Sequence, residues 1–539
     1  MSQVRLAPDS NQALGVGQFA VDFLSEKLGP GPSGQVLERT RQFHTDSVLC
    51  GLSALALQTN APTILRDEAL QYPDDDGAFV FGDGQKVKAE KAVVANCAAV
   101  REWDSNGTNF GYRPELGHTA GEFGHNDFYP VVVAACQQKR LDGATALKAM
   151  VLLDEIRGRL AEVFSLKSYK IDPVVHGAIA SAATYGAIMG ATPEQIESAI
   201  GMFVAHYVPW RAIRAGRQLS DSKGASAAIS TEAAILCVKR SMNGFLGPSD
   251  IFRNPEAVFR FFEPTTEGEA RWKEDGDSPF ELVLSHSGDD FAVMGMHFKL
   301  GLYEHQSAGA LQGMIDLLAA NPSLLENSGD DIKRITILAY EPAFGIIGNP
   351  MKKNPKTRQS ADHSMAYIVA TLLRKAIEHG SLPGTSDEIW KALILTPYDY
   401  KEDDSAIFHP LTRSLMDRIQ FQHGGPDYDA KYPDGIPTSV KIELSQDKSE
   451  PTRTNPNQPE PPSLNSGLIM YPAGHARNTT ADLTDILQHK WSMLGEIALP
   501  DGGDTVALVD RLESIADLPA QDLCSFYDCD VAARSGYKE

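Results

Sequence analysis

The chain has 539 residues, 42% of them hydrophobic and 22% charged, and a formal net charge of −22. That length exceeds what one hydrophobic core usually supports, so two domains are expected, and the composition excludes wholesale disorder. The acid excess argues against a nucleic-acid partner and gives no support to a membrane one; an anionic substrate would need a local cluster of cations.

Six cysteines, at 50, 97, 136, 237, 524 and 529, show no C-x-x-C pair and no zinc-like or cluster-like spacing. Free thiols in a reducing compartment are the expectation, and the spacing weighs against an aconitase-type iron–sulfur cluster. No apolar run reaches the roughly 18 residues of a membrane span, and Met1 to Gln12 carries neither a signal-peptide core nor an Arg-rich transit pattern, so a cytoplasmic chain is expected.

In chain order, about Gln12 to Gly244 reads as successive helices rich in alanine and other small residues, the composition of closely packed helices. Asp142-Gly143 breaks one run, and Ala144 to Phe164 resumes with apolar residues at three- and four-residue spacing. Ser181 to Met189 stops at Gly190; Thr192-Pro193-Glu194-Gln195 then supplies an N-cap, a first-turn proline and a capping-box glutamine, so the next helix begins at Pro193. After about Phe280, strands are expected at 335–340, 440–444 and 467–471, with helices between. Residues 446–466 hold five prolines among polar residues and read as an extended hairpin loop; a helix returns over Thr480 to Leu494. The expected fold is mainly α: a large all-helical domain over 1–280, completed by helices from 480–539, and a smaller α/β domain over 281–479 with the Pro-rich insertion.

Three polar constellations stand out. In Trp103-Asp104-Ser105-Asn106-Gly107-Thr108, a helix ending at Asn-Gly would bring Asp104 and Thr108 together just before a loop carrying His118; equally, this is a helix cap with a solvated aspartate. Arg211 to Lys223 holds four cations (Arg211, Arg214, Arg217, Lys223) and one acid in thirteen residues, either the required cation cluster or a solvated basic loop. His297 to Ser307, with Lys299 and His305, opens a helix over Ser307 to Leu318 and is either a cleft wall or a set of capping groups. Two further runs, Thr357 to Tyr367 and Tyr471 to Arg477, read alone as an N-cap and a turn.

Taken together and in order, W-D-x3-T with a downstream Gly-His, R-x2-R…S-x-x-K-G, Lys…His-Gln-Ser, T-R-Q-S-A-D-H-S-M-A-Y-I-V-A and Y-P-A-G-H-A-R resemble the 2-methylcitrate dehydratase (MmgE/PrpD) family over about residues 100 to 480. The resemblance implies a helical domain, an α/β lid domain, a homodimer, catalysis without metal or cofactor, and a site between the domains using Asp104, Thr108, His118, Lys223, Lys299 and His305. It also implies a small polycarboxylate substrate and a place in the methylcitrate cycle of propionate catabolism. The interval Thr108 to His118 is longer than usual and Lys299 to His305 shorter. Asp172-Pro173 stands where many members have a histidine, with His176 three residues on.

On this reading the chain dehydrates 2-methylcitrate to 2-methyl-cis-aconitate by general acid/base chemistry. Asp104 would orient His118, and Thr108 would hydrogen-bond substrate. Arg211, Arg214 and Lys223, with Lys299 and His176, would bind it, and His305 or Lys223 would protonate the departing hydroxide. The alternatives are a cis-aconitate decarboxylase, an imino- or amino-diacid epimerase, and a non-catalytic carboxylate-binding paralogue.

Overall fold

A computed structural model describes residues 2–261, 276–445 and 463–538. The fold is mainly α. Long helices, among them Gly34–Ala56, Ala89–Arg101, Gly143–Val163, Val174–Met189, Pro193–His206 and Ser226–Met242, pack on one another through faces rich in alanine, glycine and serine. Small residues permit this closeness: a Cβ placed on Gly177, in Val174–Met189, would lie 2.0 Å from the Phe128 ring. The punctuation read from the sequence is in place. Pro193–His206 opens with the Thr192/Gln195 capping box, and Val174–Met189 ends at Gly190 with φ +90°.

A four-stranded sheet, ordered Ser463–Asn465, Thr438–Leu444, Ile332–Ala339, Ile419–His423, is parallel between its last two strands and antiparallel elsewhere. Helix Ala308–Ala320 packs on the Thr438–Leu444 strand. One expectation changes here. The strand expected over 467–471 is Ser463–Asn465 instead, and Ile469 keeps only an isolated bridge to Thr438. The prolines of the insertion, all within 446–462, lie outside the described residues. Leu282–Ser285, just past residue 281, pairs antiparallel with Gln3–Leu6 and packs on Gly143–Val163. Helix Leu483–Ala498 returns to Gly34–Ala56, where Trp491 Nε1–H donates to Asp46 at 3.0 Å. Among the described residues no single helix is long and apolar enough to cross a membrane.

One buried group in this helical core makes stability depend on pH. Burial pulls His44, in Gly34–Ala56, from 6.5 down to about 3. As pH falls below 6.5 the unfolded chain takes up a proton that folded His44 refuses, so the stability it contributes is present above that pH and lost as acid is added. His44→Gln removes this term. Between about pH 7.5 and about pH 5, the unfolding free energy of the variant is expected to fall by about 2 kcal/mol less than that of the wild type. Urea titrations at both pH values measure it, and parallel pH dependences would show that His44 is not held neutral.

Candidate active site

The Trp103 to Thr108 stretch does not end a helix as expected. Ala89–Arg101 stops at Arg101, Asp104 takes φ +50°, and Thr108 already lies in the strand Thr108–Phe110. Aspartate tolerates the left-handed region better than most residues, and this turn converts helix to strand within a few residues. The strand pairs with Phe123–His125, setting Thr108 opposite His125.

Asp104 is the hub. Fully buried, it meets Arg101 at 2.7 Å, Lys223 at 3.2 Å, His363 Nδ1 at 3.4 Å, and Lys299 in a short ion pair. Burial alone would raise its carboxyl; Arg101, Lys299, Lys223 and His363 outweigh that and hold it well below the carboxylate range. Asp362 takes Lys223 at 2.9 Å and accepts from His363 Nδ1–H at 2.7 Å, while Asp127 faces Arg101 at 3.7 Å. Three buried cations therefore face three buried carboxylates, the balance that ionised groups out of water require. Lys299 also donates to the Asp104 carbonyl at 2.8 Å and reaches His125 Nδ1 at 3.4 Å. Burial lowers the Lys299 ammonium despite Asp104, and burial, Arg101 and Lys299 hold His125 well below its usual value, so its ring is neutral.

Asp104, Asp362 and His363 lie close enough together to ligate a metal ion. The two carboxylates that would do so already share the Lys223 ammonium.

The structure brings some of the expected residues together and separates others. Asp104, Lys223 and Lys299 converge in the cluster. Asp104 and His118 do not meet: His118 Nδ1 faces Glu162 at 3.8 Å, and its backbone pairs with Arg113 beyond the Thr108 strand. Thr108 is buried and its hydroxyl donates to the Gly124 carbonyl at 3.0 Å. Arg214 lines a small pocket with His125, Arg157, Asp172, His176 and Phe123, where Asp172 engages it in a two-pronged ion pair. Arg211 lies over the Phe123 ring at 5.8 Å with Nη1 unpaired. His176 donates Nε2–H to the Phe164 carbonyl at 2.9 Å and leaves Nδ1 bare; burial lowers it to about 4. Asp172, standing where a histidine was expected, thus pairs with the basic segment, and His176 reaches the same cavity one helical turn later.

His305 is buried, and neither ring nitrogen has a hydrogen-bond partner. Its ring stacks on His297 at 5.1 Å, which in turn lies 4.0 Å from the His475 ring. Burial, then Lys299, hold it neutral. A buried imidazole with two unsatisfied nitrogens suits contact with something that enters.

Sequence reasoning missed Arg101, His125, Asp362 and His363. The A-D-H-S run was read as an N-cap, and Ser364 does cap Met365–His379 by accepting from the Tyr367 N–H. The preceding Asp362 and His363 turn inward instead. His125 carries a signal of its own, because Gly124-His125 repeats the Gly-His pair of Gly117-His118.

A helical scaffold abuts a small sheet, and the buried lysines and neutral imidazoles around one aspartate are groups of the kind that proton-transfer chemistry uses. The MmgE/PrpD N-terminal domain model matches residues 21–270 and the MmgE/PrpD C-terminal domain model residues 305–462. The chain belongs to the MmgE/PrpD family, which includes hydro-lyases such as 2-methylcitrate dehydratase.

Proposed function

We propose that this protein is a lyase that removes water from a 2-hydroxy tricarboxylate, 2-methylcitrate, by general acid/base chemistry. The observation that carries this reading is the contact of Lys299 with both Asp104 and His125, together with a His305 ring whose nitrogens have no hydrogen-bond partner. Because His125 Nδ1 accepts from Lys299, the ring presents Nε2–H as a donor toward the cavity it lines. A departing hydroxide takes that proton, and Lys299, whose ammonium is already weakened by burial, replaces it at Nδ1. His305 takes the proton beside the substrate carboxylate. Its ring is a poor base in the empty site, but entry of an anion raises an imidazole's proton affinity, so the base becomes effective when substrate is present. Arg211, whose Nη1 has no hydrogen-bond partner, opposes the carboxylates and the charge that builds on them.

The decisive assay incubates the protein with 2-methylcitrate, citrate and cis-aconitate, following the absorbance of the conjugated alkene and release of CO2. Alkene from 2-methylcitrate is the expected result. CO2 from cis-aconitate would replace this reading by decarboxylation in the same site, and silence on all three substrates would overturn it.

A further inference from the structure

Lys490, on helix Leu483–Ala498, lies outside both family-matched segments and outside the acid/base cluster, yet its ammonium is spent on that cluster's backbone. Fully buried, it donates to the Ser105 carbonyl at 2.7 Å, the Lys299 carbonyl at 2.8 Å and Asp46 Oδ2 at 3.0 Å. An ammonium has three N–H donors, and three acceptor groups surround it, Asp46 presenting both oxygens, Oδ1 at 2.7 Å and Oδ2 at 3.0 Å. Two of these carbonyls belong to the segments carrying Asp104 and Lys299, the residues whose side chains form the central ion pair. The same segments are joined again where Ser105 Oγ–H donates to the Gly301 carbonyl at 2.7 Å.

We infer that Lys490 is a positioning residue: anchored on Asp46, it clamps the backbones of residues 105 and 299 and thereby sets the Asp104 to Lys299 contact. Asp46 holds the ammonium on helix Gly34–Ala56, itself tied to the same helix by Trp491. A clamp so placed transmits the register of helix Leu483–Ala498 to the backbone that carries the proton-transfer groups. The expected catalytic effect rests on the acid/base reading above; the structural effect does not.

The test compares Lys490→Met with Trp491→Phe, which removes the neighbouring hydrogen bond to Asp46 but leaves the clamp. Lys490→Met is expected to lower kcat by about 10²-fold, the scale of a misplacement of about 1 Å. It should leave KM little changed, displace the pH profile of kcat, and speed amide exchange in peptides covering 102–110 and 296–303. Trp491→Phe should lower the melting temperature without moving the pH profile or exchange in those peptides. Because Lys490→Met leaves Asp46 buried without its cation, the double variant Lys490→Met/Asp46→Asn removes both charges and carries the same expectations if the single variant does not fold. Equal exchange and equal pH profiles in the Lys490 and Trp491 variants would reduce Lys490 to a structural ion pair and overturn the inference. The exchange result stands even if wild type turns over none of the three substrates, so failure of the functional reading and failure of the clamp are separable.

Discussion

Replacing His125 by alanine is expected to lower kcat by about 10²- to 10⁴-fold, whereas replacing His118 leaves kcat near that of the wild type. The contrast rests on geometry: His125 touches Lys299 and lines the small pocket beside Arg214, while His118 faces Glu162. Both histidines follow a glycine in the same glycine-rich loop, and only strand pairing separates them, since Thr108 lies opposite His125. Neither change opens a large cavity at an aliphatic core position, so both variants should fold, and steady-state kinetics with single-turnover controls measure the difference. A large loss at His118 with little loss at His125 would reverse the assignment.

Asp104→Asn is expected to be the most damaging isosteric change in the molecule. Asparagine accepts the left-handed backbone of this position as well as aspartate does, so the substitution isolates the charge from the φ of +50°. It leaves Arg101, Lys223 and Lys299 buried against fewer carboxylates, and removing one partner from such a set costs about 3–5 kcal/mol. Turnover should fall with it, because Lys299 then lacks the carboxylate that keeps its proton within reach of His125. Denaturant unfolding gives the stability loss, and Asp104→Asn combined with Lys299→Met should recover part of it, since the double variant removes one uncompensated cation. A double variant no more stable than Asp104→Asn alone would mean that Lys299 is not held by this carboxylate.

Both predictions concern a cluster assembled from residues about 260 positions apart in the chain, Arg101 to His363, and this separation explains how much of the site was legible beforehand. Lys223 and Lys299 announced themselves as cations in marked motifs of an acidic chain. Arg101 gave no signal, because an arginine in the last turn of a helix is an ordinary residue there. Asp362 and His363 looked like capping groups, and a linear motif does not distinguish a residue that caps from a neighbour that turns inward. Arg214 was read as a carboxylate ligand; the fold sets Asp172 against it, a pairing across 42 residues that neither local segment encodes.

What the sequence by itself determined was local and periodic. The helix start at Pro193 and stop at Gly190, the strands near 335 and 440, the mainly α class and the family followed from capping chemistry, hydrophobic spacing and motif order, each set by residues a few positions apart. Only the tertiary structure decided which histidine meets Lys299, where Arg214 finds its counter-charge, that Leu282–Ser285 pairs with Gln3–Leu6, and that Lys490 grips the backbone of the site. Those choices depend on burial. An ionised group taken out of water requires a partner, and packing brings that partner from anywhere in the chain, with no trace of the pairing in local spacing.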